Sequence, residues 1–139
     1  MIFQPLFFFI TPLKIAKNEL IQVILSIIQN SKDAILSQSL KHGAIVLYFD
    51  IIRGTDKVYL TIQDNAGGIS KEHFTRIFEP YFTTHSTMHG KGLGLFIAKM
   101  IVEKQLYGTI TVENTMEGAS FRIEFPTKNN SGDSNILMI

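Results

Sequence analysis

The chain has 139 residues, of which 45% are apolar, and its formal net charge is +1. This length and composition suit one domain with a single buried core, and the scattered, nearly balanced charges give no support to a nucleic-acid partner. The chain contains no cysteine, which excludes disulfides and thiolate metal sites, so nothing points to an oxidising compartment.

The four histidines stand at positions 42, 73, 85 and 89 and include no pair at the helical spacing of a metal site. The apolar run at residues 6–10 is far shorter than the about 20 residues that span a bilayer, and it lacks the features of a signal peptide. We therefore expect a cytoplasmic protein without membrane contact, in which no metal is held by protein ligands alone.

The chain divides into three parts by composition. Residues 1–13 form a poorly defined N-terminal segment in which Thr11 and Pro12 interrupt a short apolar run. Residues 14–126 alternate between helix-like and strand-like patterns and predict the folded domain. Residues 127–139 follow Pro126 and are polar at first, which predicts a disordered tail.

The first helix is predicted from Asn18 to about Ser37, because apolar residues recur there every three or four positions. Its opposite side carries a polar ridge, consisting of Gln22, Ser26, Asn30 and Asp33. A polar ridge is often only a solvated surface. Short amides and hydroxyls are nevertheless unusual choices there, since long charged residues form helices better, and Asn30 is the strongest candidate for a binding role.

Two strands are predicted next, at residues 44–52 and 57–63, joined by a turn. The second strand delivers Asp64 to the sheet edge, where the glycines at 67 and 68 force an abrupt turn. A carboxylate beside glycines that admit a ligand closely suits the exocyclic amine of a purine. Taken alone, the same residues are also typical of an ordinary turn.

A short helix is predicted from Ser70, as its cap, to Phe78, with Pro80 ending it. The polar, aperiodic stretch up to Gly90 is typical of a mobile lid over a site. Glycines alternate through residues 90–94 and then open a helix that runs to about Tyr107. Backbone N–H groups at such a helix start form an anion site, although the same glycines could be only a hinge.

Two final strands are predicted at residues 108–113 and 119–125. Together the pieces supply the contacts that a metal nucleotide needs. Adenine would contact Asp64, magnesium would contact Asn30 and phosphate oxygens, and the triphosphate would contact the amides of residues 92–95.

These residues also resemble a known family, the ATP-binding catalytic domain of sensor histidine kinases. The family lies within the gyrase, chaperone, histidine kinase and mismatch-repair ATPase superfamily, and the resemblance covers about residues 14–126. Four sequence boxes carry it in the family's order: residues 19–34 resemble the N box, 64–69 the first glycine box, 77–84 the F box and 90–95 the second glycine box.

The resemblance implies an α+β fold of the Bergerat type, a two-layer sandwich with a mixed sheet of about five strands covered on one face by three helices. It implies ATP and Mg²⁺ as cofactors, with Asn30 as the Mg²⁺ ligand and the residue central to catalysis. It assigns the following residues to the nucleotide site: Asn30, Asp33, Asp64, Gly68, Ile69, Phe78, Phe82, Thr84, Lys91, Gly92, Leu93, Gly94 and Leu95. Phe78 and Phe82 would anchor the base of the lid, although core packing is the favoured main role of Phe78.

The sequence departs from the family pattern in three ways. Ser26 stands where the gyrase and chaperone branches have a glutamate that activates water, and a hydroxyl has too high a pKa to act as a general base at neutral pH. Asp33 stands where some kinases have a lysine, so that Lys32 or Lys91 would have to supply the charge. None of the four histidines has the helical-hairpin setting of a phosphoacceptor.

The leading hypothesis is a histidine kinase catalytic domain, the cytoplasmic part of a sensor, that binds Mg-ATP and delivers the γ-phosphate to a histidine on a separate dimerisation hairpin. A response regulator would be the downstream partner, and the domain alone would be a monomer. One alternative is a non-catalytic ATP-binding regulatory module, which Ser26 and the missing acceptor histidine would favour. Another is a serine kinase that acts on an anti-sigma partner.

Overall fold

The computed structural model describes residues 14–83 and 92–127, together with the backbone of residues 136–138. Its elements follow in chain order: β1 (Lys14–Ala16), α1 (Lys17–Ser37), β2 (Ile45–Ile51), β3 (Lys57–Asp64), α2 (Gly94–Lys104), β4 (Thr109–Asn114), β5 (Ala119–Pro126) and β6 (Ile136–Met138). The long strands form one antiparallel sheet in the order β2-β3-β5-β4, while β1 pairs with β6.

Two helices cover one face of this sheet. α1 and α2 pack against each other, α1 also contacts β3, and α2 contacts β4. The predicted α+β class and two-layer arrangement are confirmed. In detail, the four-stranded sheet is antiparallel throughout rather than mixed, and the described residues contain two α-helices instead of three.

The core lies between the helices and the two central strands. Alternation along β3 and β5 sends every second side chain to the helix side, and the register places Ile62 opposite Phe121 and Leu60 opposite Ile123. The innermost side chains are Val23 and Ile27 of α1, Val58 and Ile62 of β3, Phe121, Ile123 and Phe125 of β5, Val102 of α2, and Leu106, which follows α2. Removal of these apolar side chains from water stabilises the packing of the helices on the sheet.

The segment from Ser70 to Phe78 forms consecutive turns, so the short helix predicted there is absent. The His73 and Arg76 N–H groups bond to carbonyls three residues earlier, and the Ser70 hydroxyl lies 2.9 Å from His73 Nδ1 instead of capping a helix. Only Ile77 makes a bond of the α-helical i→i−4 type. A stretch this short, between a glycine turn and Pro80, gains too few successive bonds to propagate a helix.

Most of the segment predicted as a disordered tail lies outside the described residues, but three of its residues form a strand. The backbone of residues 136–138 forms β6, which runs antiparallel to β1 with Ile15 opposite Leu137. Three residues are too few to give a readable alternation, which is why the sequence did not indicate this strand. Residues 1–13 lie outside the described part. No helix within residues 14–83 and 92–127 is long and apolar enough to cross a membrane.

The face of the sheet away from the helices carries polar and aromatic side chains. The Tyr48 and Tyr59 ring centroids are 5.9 Å apart, and the Arg122 guanidinium lies 3.9 Å from the Tyr59 ring centroid while bonding Glu124. The pKa of Tyr48 is raised, above all by its side-chain hydrogen bond with Tyr59 and then by Asp50. These side chains project from the sheet opposite to the helix layer.

One hydroxyl group of α1 is buried in the core. Ser31 is fully buried, and its hydroxyl makes no hydrogen bond within the described residues. An unpaired buried hydroxyl costs about 1 kcal/mol or more. We therefore expect Ser31→Ala to raise the free energy of unfolding by about 1 kcal/mol in a denaturant titration.

Ser37→Ala is the matched control for this change. Ser37 lies on the same helix but is exposed, and its hydroxyl already donates to the Ala34 carbonyl at 2.8 Å. Its replacement should change the free energy of unfolding by less than about 0.5 kcal/mol. A Ser31→Ala protein that is less stable than the Ser37→Ala protein would show that the Ser31 hydroxyl has a partner in solution.

Candidate functional site

One open cleft brings the predicted site residues together. Its volume is about 1180 Å³, and it is bounded by α1, the loop after β3, residues 82–83 and the start of α2. The predicted site residues that line it are Asn30, Asp33, Asp64, Gly68, Ile69, Phe82, Gly92, Leu93, Gly94 and Leu95. Thr84 and Lys91 lie outside the described residues.

Asp64 is fixed in place by its own side chain. The residue is only 6% exposed, and its Oδ1 accepts hydrogen bonds from the Ala66 N–H at 3.0 Å and the Ala119 N–H at 3.2 Å. Gly118 makes this possible, because a Cβ at that position would collide with the Asp64 backbone oxygen. No hydrogen bond to Oδ2 exists within the described residues, so this oxygen is available to accept from a ligand in the cleft.

The turn between β4 and β5 holds the loop that follows Asp64. The Gly67 N–H donates to the Glu117 carbonyl at 3.0 Å. The Asn114 side chain accepts from the Ile69 N–H at 2.9 Å and donates to the Ile69 carbonyl at 2.8 Å. The sequence did not indicate Asn114 and Glu117, since they lie 45 and 50 residues from their partners Ile69 and Gly67 and no local pattern connects them to the loop.

Asn65 has a structural role beside the site. Its Oδ1 accepts from the Ala44 N–H at 2.9 Å, and its Nδ2 donates to the His42 carbonyl at 2.7 Å. The side chain therefore ties the loop after Asp64 to the chain entering β2. This function explains an asparagine at position 65 without any contact to a ligand.

The polar ridge of α1 forms one wall of the cleft, as its spacing predicted. Gln22, Ser26, Asn30 and Asp33 all line the cleft. Asp33 Oδ1 accepts from Gln29 Nε2 at 2.9 Å, one helical turn earlier. Asn30 makes no side-chain hydrogen bond within the described residues, so its amide oxygen is available to a ligand.

The donor set fits a magnesium ion only when a ligand shares the coordination. Within residues 14–83 and 92–127 there is no group of three or more histidine or acidic side chains that could enclose a metal. Mg²⁺ normally takes one or two protein oxygens and completes its octahedron with water and phosphate oxygens. Asn30, with Asp33 three residues further along the same wall, meets that requirement.

The start of α2 presents free backbone donors to the cleft. Leu93 is the N-cap residue and provides no side-chain cap, and Gly94, the first helical residue, lines the cleft with it. The first N–H groups of the helix, at residues 94–96, have no acceptor within the described part of the chain. Together with the helix dipole they favour an anion at this point.

Gly92 joins the start of α2 to the end of the F-box segment. The Tyr81 N–H donates to the Gly92 carbonyl at 2.9 Å, and Gly92 has a φ of +67°. A Cβ on Gly92 would lie 2.5 Å from the Tyr81 carbonyl carbon and 2.6 Å from the Phe82 oxygen. The two segments therefore meet backbone to backbone, which only glycine permits.

The two F-box phenylalanines have different positions. Phe82 lines the cleft, with the His73 ring edge-on at 5.2 Å and the Arg76 guanidinium 4.6 Å from its centroid. Phe78, also assigned to the nucleotide site from sequence, does not line the cleft. It packs against the core and meets the Phe121 ring edge-on at 6.3 Å, because it lies on the sheet side of the turns.

The charges of the cleft are unbalanced. Its described lining residues include the carboxylates of Asp33 and Asp64 but no lysine or arginine. Negative phosphate groups would therefore be stabilised by the free N–H groups of α2 and by an added cation.

The chain belongs to the family of histidine kinase-, DNA gyrase B- and HSP90-like ATPases, whose family model matches residues 16–129. Sensor kinases and the catalytic domain of a histidine kinase are among the similar proteins, so the chain is an ATP-binding catalytic domain of the histidine kinase type. Both the four boxes and the cleft that they line agree with this assignment.

Among curated proteins, the two-component sensor PprA of Pseudomonas aeruginosa is 36% identical over 110 residues, which are 78% of this chain and 12% of PprA. Sporulation kinase A of Bacillus subtilis is 36% identical over 115 residues, 81% of this chain and 17% of the kinase. The sensor histidine kinase ZraS of Salmonella typhi is 37% identical over 110 residues, 78% of this chain and 22% of ZraS. The chain thus spans less than a quarter of each of these relatives.

Solved structures show the same fold. The catalytic domain of histidine kinase ThkA, in a nucleotide-free form, matches with a TM-score of 0.65 and 29% identity over 79% of this chain and 67% of that domain. Full-length ShkA in complex with AMPPNP matches with a TM-score of 0.63 and 26% identity over 79% of this chain and 22% of ShkA.

Proposed function

We propose that this domain binds Mg-ATP and delivers the γ-phosphate to a histidine on a separate dimerisation hairpin, from which a response regulator would receive it. The observation that carries the proposal is one cleft lined both by Asp64, a fixed carboxylate, and by the N–H groups at the start of α2. Asp64 Oδ2 and these N–H groups have no partner among the described residues. A purine amine and a polyphosphate are the complements of these two features.

Each cleft residue then has a chemical task. Asp64 Oδ2 accepts from the adenine amine, and Gly68, which lines the cleft, lets the base approach the backbone. Asn30 contributes its amide oxygen to Mg²⁺, which when bound neutralises charge on the phosphate oxygens. The backbone from Gly92 to Leu95 binds the phosphates, and Phe82 shields the cleft beside them.

In the transfer step, the bond between the γ-phosphorus and the ADP oxygen breaks while a bond forms to an imidazole nitrogen of the acceptor. The protein contributes position and charge stabilisation rather than covalent chemistry. Ser26 lines the cleft at the place where a general base would stand. Because a serine hydroxyl cannot serve as a base at neutral pH, we infer that water is a poor acceptor and that ATP hydrolysis is slow.

Ser26 also favours a second function, a nucleotide-binding regulatory module without transfer activity. The two functions differ in one measurable product. The domain should be incubated with Mg²⁺, γ-labelled ATP and a purified hairpin from a sensor histidine kinase, and with the same hairpin whose acceptor histidine is replaced by glutamine. Acid-labile label on the first hairpin alone supports the kinase, whereas ATP binding without any labelled hairpin supports the regulatory module.

The Asn30 assignment makes a separate prediction. Asn30→Ala removes the free amide oxygen from the cleft, so the ratio of the ATP dissociation constants measured without and with Mg²⁺ should fall by about tenfold or more. Isothermal titration in the two buffers measures this ratio directly.

Gln22→Ala is the control, because Gln22 lies on the same wall of α1, two turns away from Asn30. That protein should keep the wild-type Mg²⁺ effect. If Asn30→Ala keeps it as well, Asn30 is not the magnesium ligand.

A further inference from the structure

Asn114, the last residue of β4, forms hydrogen bonds with the backbone of a residue that lines the cleft. Its carboxamide binds both polar backbone groups of Ile69, accepting from the N–H at 2.9 Å and donating to the carbonyl at 2.8 Å. Ile69 lines the cleft directly after Gly68. A two-point contact of this kind fixes both the position and the orientation of the peptide units that it holds.

The same side chain fills the space beside Gly68. Gly68 has a φ of +86°, and a Cβ built there would lie 2.7 Å from Asn114 Oδ1 and 2.9 Å from Cγ. The Asn114 amide therefore packs directly against the Gly68 backbone. The Gly68 N–H has no acceptor within the described residues, so this peptide is held by packing rather than by a bond of its own.

The loop from Asp64 to Ile69 depends on the β4–β5 turn along its whole length. At its start, Asp64 accepts from the Ala119 N–H; in the middle, the Gly67 N–H donates to the Glu117 carbonyl; at its end, Asn114 holds Ile69. On the side of the β4–β5 turn, Ala119 and Glu117 contribute backbone groups to these contacts, and only Asn114 contributes a side chain that a substitution can remove without altering the backbone.

We propose that Asn114 is a positioning residue for base recognition, which sets how strongly the cleft prefers adenine to guanine. The inference rests on the proposed function, because it assumes that Asp64 and Gly68 contact the base. Guanine carries an oxygen where adenine carries the amine, so a rigid carboxylate at that point repels it. Freeing Ile69 and Gly68 allows the loop to move, and the penalty against guanine falls.

The test compares binding of Mg-ATP, Mg-GTP and magnesium with inorganic triphosphate to the wild type, Asn114→Ala and Asn114→Asp. Asn114→Ala should lower the ATP-over-GTP preference by about tenfold, the effect of losing ordinary hydrogen bonds. Asn114→Asp keeps the shape of the side chain and the acceptor for the Ile69 N–H but loses the donor to the Ile69 carbonyl. Its ATP-over-GTP preference should therefore lie between those of the wild type and Asn114→Ala, or below both. Binding of inorganic triphosphate should change less than about twofold, since it contacts only the phosphate end.

Thr115→Ala is the matched control in the same turn. The Thr115 hydroxyl accepts from the Gly118 N–H at 3.1 Å and from the Glu117 N–H at 3.3 Å, and among the described residues it makes no hydrogen bond with the loop from Asp64 to Ile69. This variant can lower the stability of the turn but should keep the ATP-over-GTP preference of the wild type. Thermal unfolding of every variant separates lost stability from lost preference.

The outcomes separate the two proposals. A wild type that binds no Mg-ATP contradicts the proposed function itself. A wild type that prefers ATP, with Asn114 variants that keep the same preference or lose ATP, GTP and triphosphate binding equally, overturns the positioning role. Amide hydrogen exchange of the wild type supplies an independent check, because the hydrogen bond to Asn114 should protect the Ile69 N–H from exchange. Exchange of this N–H at the rate of an unstructured peptide would also overturn the positioning role of Asn114.

Discussion

Asp64→Asn is expected to weaken ATP binding by about 10- to 100-fold while the fold stays intact, a loss of about 1.5 to 3 kcal/mol. Asparagine has the shape of aspartate, and its amide oxygen can replace Oδ1 as the acceptor for the Ala66 and Ala119 N–H groups. The other position then changes from a carboxylate oxygen to an NH₂ group. In the variant, the NH₂ group at position 64 would face the adenine amine, so that two donors meet where the wild type offers an acceptor.

Isothermal titration with Mg-ATP and Mg-ITP tests this expectation. Inosine carries an oxygen in place of the amine, so the new NH₂ group at position 64 can donate to it, and the affinity for ITP should fall less than that for ATP or should rise. Asp50→Asn is a suitable control, since Asp50 bonds Tyr48 on the opposite face of the sheet. Equal ATP affinity in the wild type and Asp64→Asn would remove Asp64 from the base site.

Local pattern predicted most of the architecture that positions this site. The apolar repeat of α1, the β-branched and aromatic run of β2 and the alternation of the other long strands placed those elements within a few residues of their observed bounds. The signals of α1, β3 and β5 are strong because one face of each of these elements is buried against the core. The polar ridge of α1 was readable for the same reason, since residues three and four apart must share a face.

Tertiary contacts account for what the sequence did not predict. Ser70 and His73 are compatible with a helix start, but the His73 ring turns towards the Ser70 hydroxyl and the Phe82 ring, and the segment stays in turns. In the sequence alone, Asn114 and Gly118 are typical of an ordinary β-turn. Their contacts with Ile69 and Asp64 join residues about 45 to 54 positions apart, and no periodicity carries such information.

The residues of the four sequence boxes divide into those that line the cleft and those that serve the fold. A box motif predicts that its residues lie near one another but does not say which side chains face the ligand. Asn30 and Asp64 line the cleft, whereas Phe78 of the F box faces Phe121 in the core. Asn65, inside the first glycine box, bonds two backbone groups before β2. Core packing and ligand contact both favour particular residue types, and only the three-dimensional structure shows which of the two a residue serves.

Gly92→Ala should have the largest effect on the phosphate end of the cleft. The new methyl group would lie within 2.8 Å of three backbone atoms of Tyr81 and Phe82, and it would stand at a φ of +67°. Backbone atoms cannot move aside like the end of a flexible side chain, so residue 92 has to shift and carry the start of α2 with it. Because the phosphates need the N–H groups there at hydrogen-bond distance, we expect affinities for Mg-ATP and for magnesium with inorganic triphosphate to fall by about tenfold or more.

Gly54→Ala isolates the steric part of this effect. Gly54 also has a positive φ, +78°, but a Cβ there meets nothing within 4 Å. That substitution should cost about 1 kcal/mol of unfolding free energy through backbone strain and should leave nucleotide binding unchanged. If Gly92→Ala behaves like Gly54→Ala, with reduced stability and normal affinity, then the close approach of Gly92 to Tyr81 and Phe82 does not position the start of α2. A loss of triphosphate binding in Gly92→Ala alone would instead show that this contact sets the geometry of the anion site.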